Sequence, residues 1–77
     1  MKSVGALVRE RREFLRISLT DLAKEVGTSK VYLSEVETGK KVFSAYRLTQ
    51  VEEVLAIDLH DTWFAEVVQR GKERYGR

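Results

Sequence analysis

The chain has 77 residues, a net charge of +2 and a charged fraction of 34%, with neither cysteine nor proline. This length indicates one domain, 1–77, and the lack of cysteine excludes disulfides and thiolate metal sites. No stretch approaches the roughly 18 consecutive apolar residues of a membrane helix, and the N-terminus lacks the apolar run of a secretory signal. We therefore expect a cytoplasmic protein with no membrane partner.

Charge is distributed unevenly along the chain. Residues 1–41 carry nine Lys and Arg against six Asp and Glu, residues 42–61 carry one against four, and residues 62–77 carry four against two. A basic segment followed by an acidic one is typical of a protein that turns one face towards phosphate. An ordinary solvated surface is the alternative explanation of the same pattern.

Residues 3–16 show the apolar spacing of an amphipathic helix, with Ser3 placed to cap it. The inward stripe consists of Val4, Leu7, Val8 and Leu15, with Arg11 on it and Phe14 widening it. We expect this helix to pack across the back of the two helices that follow.

The stretch 18–39 predicts two short helices joined by a tight turn. Inward positions are Leu22, Ala23 and Val26 in the first helix, and Leu33, Val36 and in part Val31 in the second. Gly27 and Gly39 suit left-handed helix ends, and Ser18 and Ser29 are placed as caps. Two helices around a turn that contains Gly make a helix-turn-helix, whose second helix enters the major groove of DNA.

Two further helices are predicted after this motif. Ser44 caps the helix 45–55, whose inward residues are Leu48, Val51 and Leu55, and Phe43 covers the edge of the core. Asp58 caps a last helix, 59–70, with the apolar stripe Leu59, Trp63, Phe64, Val67 and Val68. Beyond Gly71 the polar segment is expected to fray. Five helices and no strand-like alternation indicate an all-α fold.

Residues 18–39 resemble the helix-turn-helix of the phage repressor and Cro class, also called the xenobiotic-response-element family. The matching residues are Ser18, Leu22, Ala23, Gly27, Ser29, Leu33, Ser34, Val36, Glu37 and Gly39. The resemblance covers about residues 4–64 and implies a compact five-helix, lambda-repressor-like domain. It also implies a small sequence-specific transcriptional regulator without a cofactor, similar to a phage Cro protein or a restriction–modification controller.

The resemblance assigns candidate contacts with double-stranded DNA. The base-reading positions carry Lys30, Val31, Ser34 and Glu35. Lys30 could donate to guanine acceptors or to phosphate, Val31 could meet a thymine methyl group, and Glu35 could accept from a cytosine amino group, while the role of Ser34 is ambiguous. Candidates for the DNA backbone are Ser18, Thr20, Tyr32, Thr38, Lys40 and Lys41. One departure is Leu19, which stands where many members have Gln.

Three of these assignments have alternatives. Glu35 could instead pair at the surface with Lys30 or Lys41. The Tyr32 ring could cover the core rather than present its hydroxyl to phosphate. The lysines after the second motif helix could belong to a solvated loop.

The resemblance further implies an ion pair between Arg12 and Glu37. A buried carboxylate needs a partner, because leaving it unpaired costs several kcal/mol. We interpret this pair as structural and not as catalytic.

The last helix is the predicted dimerisation element. Phe64, Val67 and Val68 extend its apolar stripe beyond the needs of five short helices, and an exposed apolar stripe usually marks an interface. The alternative is that the whole stripe is core. We expect a homodimer on half-sites about 34 Å apart, with RNA polymerase as a further candidate partner.

The sequence does not favour an enzyme. His60 is the single histidine, and there is no nucleophile–base pair, metal-spaced cluster or glycine-rich phosphate loop. We expect no catalysis, no metal and no small-molecule substrate. The competing function is a protein-interaction module, such as an antitoxin or antirepressor, because fold alone does not fix function. An exposed patch of Lys30, Thr38, Lys40 and Lys41 would favour DNA, whereas a face dominated by Glu25 and Glu35 would favour protein.

Overall fold

The computed structural model describes residues 2–75, with side chains through residue 71, and shows five helices. They are α1 (Val4–Phe14), α2 (Leu19–Val26), α3 (Lys30–Glu37), α4 (Ala45–Leu55) and α5 (His60–Tyr75). No strand occurs among residues 2–75, so the predicted all-α, five-helix fold is confirmed. No helix in this part of the chain is both long and apolar enough to cross a membrane.

Serine residues define the starts of the first four helices. Ser3, Ser18, Ser29 and Ser44 each accept a hydrogen bond from the backbone N–H three residues later, at 3.0–3.2 Å. A serine oxygen in this position satisfies a backbone donor that the helix itself leaves without a partner. The local sequence therefore determines where these four helices begin.

The core lies between α1, α2, α3 and α4 and is closed by Phe43 and Leu59. Its other members are Val4, Val8, Leu22, Ala23, Val26, Leu33, Val36, Leu48, Val51 and Leu55, all at most 4% exposed. Helix α1 packs against α3, α4 and α5, and α2 packs against α3 and α4. The predicted inward residues of α2 and α4, and Phe43 as the edge of the core, are confirmed.

Helices α1 and α3 approach so closely that only glycine fits between them. A β-carbon at Gly5 would overlap the carbonyl oxygen of Val36. Helix α1 therefore lies with its backbone against α3, which fixes how the helix-turn-helix sits on the rest of the domain.

The structure corrects the predicted end of the first helix. Helix α1 stops at Phe14, Leu15 is its C-cap, and Arg16 takes a left-handed φ of +58°. Phe14 is 74% exposed and Leu15 37% exposed, so neither belongs to the core as predicted.

The last helix also differs from the prediction of 59–70. It begins one residue later, because the N–H of Leu59 donates to Glu52 Oε2 at 2.7 Å and lies outside the helix. Asp58 Oδ1 accepts from the N–H of His60 at 3.1 Å. The helix continues through Tyr75, five residues beyond the predicted end; residues 76–77 lie outside the described part.

Candidate nucleic-acid interface

The turn between α2 and α3 is set by local geometry and by one contact from α4. Gly27 takes a φ of +78°, and its N–H and that of Thr28 both donate to the carbonyl of Ala23 at 2.9 Å. Arg47 on α4 donates from Nη1 to the carbonyl of Val26 at 3.0 Å. The carbonyls at the end of α2 are thus satisfied, and the direction of α3 is fixed.

Helix α3 separates into a buried face and an outer face. Leu33 and Val36 are buried in the core. The four base-reading candidates lie elsewhere on the helix: Lys30 and Val31 are exposed, and Ser34 and Glu35 are half-buried. Val31, predicted to turn partly inwards, is 68% exposed and offers its methyl groups to the exterior.

Glu35 and Tyr32 follow the alternatives named for them from the sequence. The carboxylate of Glu35 pairs with Lys41, with Oε1 to Nζ at 3.2 Å. The Tyr32 ring packs against Phe43, with centroids 6.1 Å apart and planes tilted by 54°, and the Lys41 ammonium lies 5.8 Å from its centroid. Within the described part of the chain Lys30 forms no ion pair, so it is the α3 cation available to a ligand.

The turn after α3 presents two lysines. Gly39 takes a φ of +86°, and the N–H groups of Lys40 and Lys41 both donate to the carbonyl of Glu35, at 2.8 and 3.2 Å. Both lysines are exposed. Thr38 is also exposed, but its hydroxyl donates back to the helix, to the carbonyl of Ser34 at 3.0 Å. Lys40 and Lys41 therefore carry the positive charge of this turn.

The start of α2 offers fewer side-chain donors than the sequence suggested. The Ser18 oxygen is engaged as the cap of α2, and Thr20 is exposed. Leu19, the departure from the family pattern noted in the sequence, packs against the core. The backbone N–H groups at the N-terminus of α2, the positive end of the helix, are the remaining groups that could bind phosphate there.

Arg12 and Glu37 meet in a bidentate ion pair between α1 and α3. Arg12 Nε lies 2.8 Å from Glu37 Oε2, and Arg12 Nη2 lies 3.0 Å from Oε1. The two side chains are only 12% and 6% exposed. The hydrogen bond to Glu37 raises the pKa of Arg12, against the lowering effect of burial, so the guanidinium stays charged at any physiological pH. Arg12 Nη1 also donates to the carbonyl of Ile17 at 3.0 Å, which ties the α1–α2 connection to the same pair.

Several long-range contacts had no signal in the sequence. Arg11 Nε donates to the carbonyl of Leu55 at 2.8 Å, and Trp63 Nε1 donates to that of Phe43 at 2.7 Å. Arg70 Nη2 donates to the carbonyl of Gly39 at 2.8 Å. Because a backbone carbonyl occurs at every residue, no residue pattern could have identified these acceptors.

The later part of the apolar stripe of α5 is exposed to solvent. Phe64 is 60% exposed, Val67 38% and Val68 41%, while Leu59 is buried and Trp63 is half-buried. The alternative that the whole stripe is core is therefore wrong. These three residues lie at helical positions i, i+3 and i+4, which form one face.

Comparison with known proteins agrees with this geometry. A family described as a helix-turn-helix domain matches residues 3–62. The chain belongs to this helix-turn-helix family. It is 30% identical over 66 residues to the ImmF control region 10 kDa protein of Bacillus phage phi105, which covers 86% of this chain and 73% of that protein.

Two solved structures share the fold. The clp gene regulator ClgR from Corynebacterium glutamicum aligns with a TM-score of 0.69 and 25% identity, over 95% of this chain and 90% of that one. A SinR–SinI protein complex aligns with a TM-score of 0.69 and 30% identity over 77% of this chain, which spans 58% of the aligned chain. The resemblance to the phage repressor and Cro class is thus confirmed, and the protein is a DNA-binding transcriptional regulator.

Proposed function

We propose that this protein is a dimeric, sequence-specific regulator that binds a palindromic operator with α3 of each copy in the major groove. The observation that carries the proposal is the division of α3, with Leu33 and Val36 buried and Lys30 and Val31 exposed. A helix that follows a helix-turn-helix turn and has such an outer face matches the geometry of a recognition helix.

The base-reading roles follow from the chemistry of the outer face. Lys30 donates to the acceptors of guanine, Val31 contacts a thymine methyl group, and Ser34 serves either base type. Glu35 has the least direct role, because its carboxylate is held by Lys41; it accepts from a cytosine amino group when that pair opens. This ranking places base specificity chiefly on the first turn of α3.

Contacts with the DNA backbone come from both ends of the motif. Lys40 and Lys41 supply charge after α3. Thr38, whose hydroxyl donates to its own helix, and Tyr32, whose ring packs against Phe43, have secondary roles there. Ser18 and Thr20 lie at the start of α2, where the positive end of the helix attracts phosphate. These contacts orient the domain without reading sequence.

Dimerisation is assigned to α5. A single domain with four reading residues covers too few base pairs for an operator, and the exposed face of Phe64, Val67 and Val68 suits a second copy of the same helix. Two copies would place their recognition helices about 34 Å apart, on successive turns of the major groove. Arg12 and Glu37 keep a structural role in each copy.

The charge distribution favours DNA over a protein-interaction module. Lys30, Lys40 and Lys41 are all exposed, and they outnumber Glu25, which is exposed, and Glu35, which pairs with Lys41. A regulator of this kind acts in the cytoplasm, represses by occupying its operator or activates by touching RNA polymerase, and needs no catalysis.

Selection of bound sites from random duplex DNA at near-physiological salt tests the proposal. We expect an enriched palindrome with half-site centres about 10–11 base pairs apart. Weak, strongly salt-dependent binding without enrichment would contradict it and would direct attention to a protein partner.

Lys30 and Lys40 form a matched pair for the proposed division of roles. Lys30→Ala is expected to relax base preference at one position of each half-site, because it removes a base-edge donor. Lys40→Ala is expected to weaken all sites about equally and to lower the slope of log affinity against log salt by about 0.9 per protomer. Titration of the selected site and of single-base variants measures both. An unchanged preference for Lys30→Ala would remove Lys30 from the reading set.

A further inference from the structure

Helix α5 holds the lysine-bearing turn at two points. Trp63 Nε1 donates to the carbonyl of Phe43 at 2.7 Å, and Arg70 Nη2 donates to the carbonyl of Gly39 at 2.8 Å. The two donors are seven residues apart, close to two helical turns, and so project from the same side of α5. Their acceptors lie on either side of Lys40 and Lys41.

The remainder of the turn is tied to α3 at its beginning. The N–H groups of Lys40 and Lys41 both donate to the carbonyl of Glu35, and the Lys41 ammonium pairs with the Glu35 carboxylate. The carbonyl of Gly39 instead accepts a hydrogen bond from Arg70 on α5. The peptide group between Gly39 and Lys40 is thus held on its N–H side by α3 and on its carbonyl side by α5.

We propose that Arg70 is a positioning residue for DNA binding: through its hydrogen bond to Gly39 it holds Lys40 and Lys41 in the orientation that meets the DNA backbone. This inference rests on the proposed function. Arg70 acts through the lysines and does not itself neutralise a phosphate. Because the exposed Arg70 contributes little to the core, its loss affects DNA affinity more than folding.

Helix α5 carries the proposed dimer face as well as the two donors to the turn. Phe64, Val67 and Val68 lie between Trp63 and Arg70 on the same helix, so the helix that pairs the two copies also orients the backbone contacts of each. Pairing and DNA binding are then linked, and each strengthens the other by the same factor.

A double-mutant cycle on the selected operator tests the positioning role. Arg70→Met keeps an apolar stem but removes both charge and donors. We expect it to weaken binding about fivefold in the wild-type background and less than twofold in a Lys40→Ala, Lys41→Ala background, a non-additivity typical of residues that act as a unit. Arg70→Lys, which keeps the charge and an N–H donor for the carbonyl of Gly39, is expected to lose less affinity than Arg70→Met. Equal losses in both backgrounds would mean a phosphate contact of Arg70 itself and would overturn the inference.

Arg9→Met supplies the matched control for loss of charge. Arg9 is an exposed arginine on α1 that pairs with Glu13. Its removal also lowers the net charge by one, but its effect is expected to be the same in both backgrounds. A non-additivity as large as that of Arg70→Met would show that the coupling reflects general charge and would overturn the inference.

A second measurement uses the free protein. In Arg70→Met the amide nitrogen of Lys40 is expected to shift in NMR spectra, because the carbonyl bonded to it loses its hydrogen bond, while the amide of Tyr32 stays in place. Unchanged signals at residues 39–41 would overturn the positioning role. Failure of the wild-type protein to select any site would instead contradict the proposed function. The NMR measurement on the free protein would still test whether Arg70 holds residues 39–41.

Discussion

The helix-turn-helix and α5 are held in place by contacts of different range. Within residues 18–39 the caps Ser18 and Ser29 reach a partner three residues away, and Gly27 and Gly39 end their helices by their own backbone conformation. Helix α5 is instead tied to distant segments, to Val4 by Glu66, to Phe43 by Trp63 and to Gly39 by Arg70. The ends of the motif helices can therefore be set by local information, whereas the position of α5 depends on the completed fold.

The two regions also differ in what their apolar side chains do. In α2 and α3 the apolar residues Leu22, Val26, Leu33 and Val36 are buried, and the outer face of α3 is left to bind. In α5 the core needs only the first part of the stripe, and Phe64 remains 60% exposed. An exposed apolar surface is suited to pairing with a second copy of the chain, and an exposed polar surface is suited to binding DNA.

The largest expected effect concerns the ion pair that joins the helix-turn-helix to α1. Glu37→Ala should lower the free energy of unfolding by about 3–5 kcal/mol, because it leaves the nearly buried Arg12 guanidinium without its partner. Urea denaturation followed by circular dichroism measures the change. Glu13→Ala breaks an exposed pair with Arg9 and is expected to cost less than about 0.5 kcal/mol. Similar losses in the two variants would contradict a special role for the buried pair.

Next in size is the close approach of α1 to α3. Gly5→Ala should destabilise the protein by about 2–3 kcal/mol, because the added methyl group overlaps backbone atoms of Val36 that cannot move alone. Gly71→Ala in α5 is the control, since its methyl group would meet no atom within 4 Å. That change is expected to stabilise by about 0.5–1 kcal/mol through helix propensity. Thermal unfolding of both proteins compares the two regions directly.

A smaller effect is expected from the local caps. Ser29→Ala should cost about 1 kcal/mol, because the N–H of Tyr32 loses its acceptor at the start of α3. Arg70→Met, which removes a long-range and exposed contact, should cost less than about 0.5 kcal/mol. Urea denaturation midpoints of the two variants, measured under identical conditions, rank the two losses of stability. A larger loss for Arg70→Met than for Ser29→Ala would show that the contact from α5 stabilises the domain more than the cap of α3 does.

The smallest effect on the stability of one protomer is expected at the apolar face of α5. Phe64→Glu should change that stability by no more than about 0.5 kcal/mol, since the ring is 60% exposed, yet it should abolish pairing of two copies. Sedimentation measures the oligomeric state, and operator titration should show weakened binding. A tight dimer of this variant would place the interface on another face.

Much of the fold could be predicted because its signals are local. The four serine caps, the two left-handed glycines and the inward residues of α2 and α4 were all predicted from spacing and side-chain chemistry. The family pattern added the pairing of Arg12 with Glu37, which the structure shows as a bidentate contact. Residue type decides the caps because their partners lie within one helical turn, whereas Arg12 and Glu37 are 25 residues apart and were matched only through the family pattern.

Other features required the tertiary structure. Phe14 and Leu15 continue the apolar stripe of α1 in sequence, but at the end of this helix both are exposed and do not reach the core. The close approach at Gly5 looks in sequence like any helical glycine. Both depend on how α1 lies against its neighbours, which the period of one helix does not describe.

The sequence by itself thus determined where each of the first four helices begins, and it singled out the helix that we propose to face DNA. The tertiary structure decided that Glu35 pairs with Lys41 and not with Lys30. It also supplied the partners of two long side chains, the carbonyl of Gly39 for Arg70 and the carbonyl of Phe43 for Trp63. The physical reason is that caps and helical periodicity act over a few residues, whereas a long side chain can reach any acceptor that packing brings within about 3 Å.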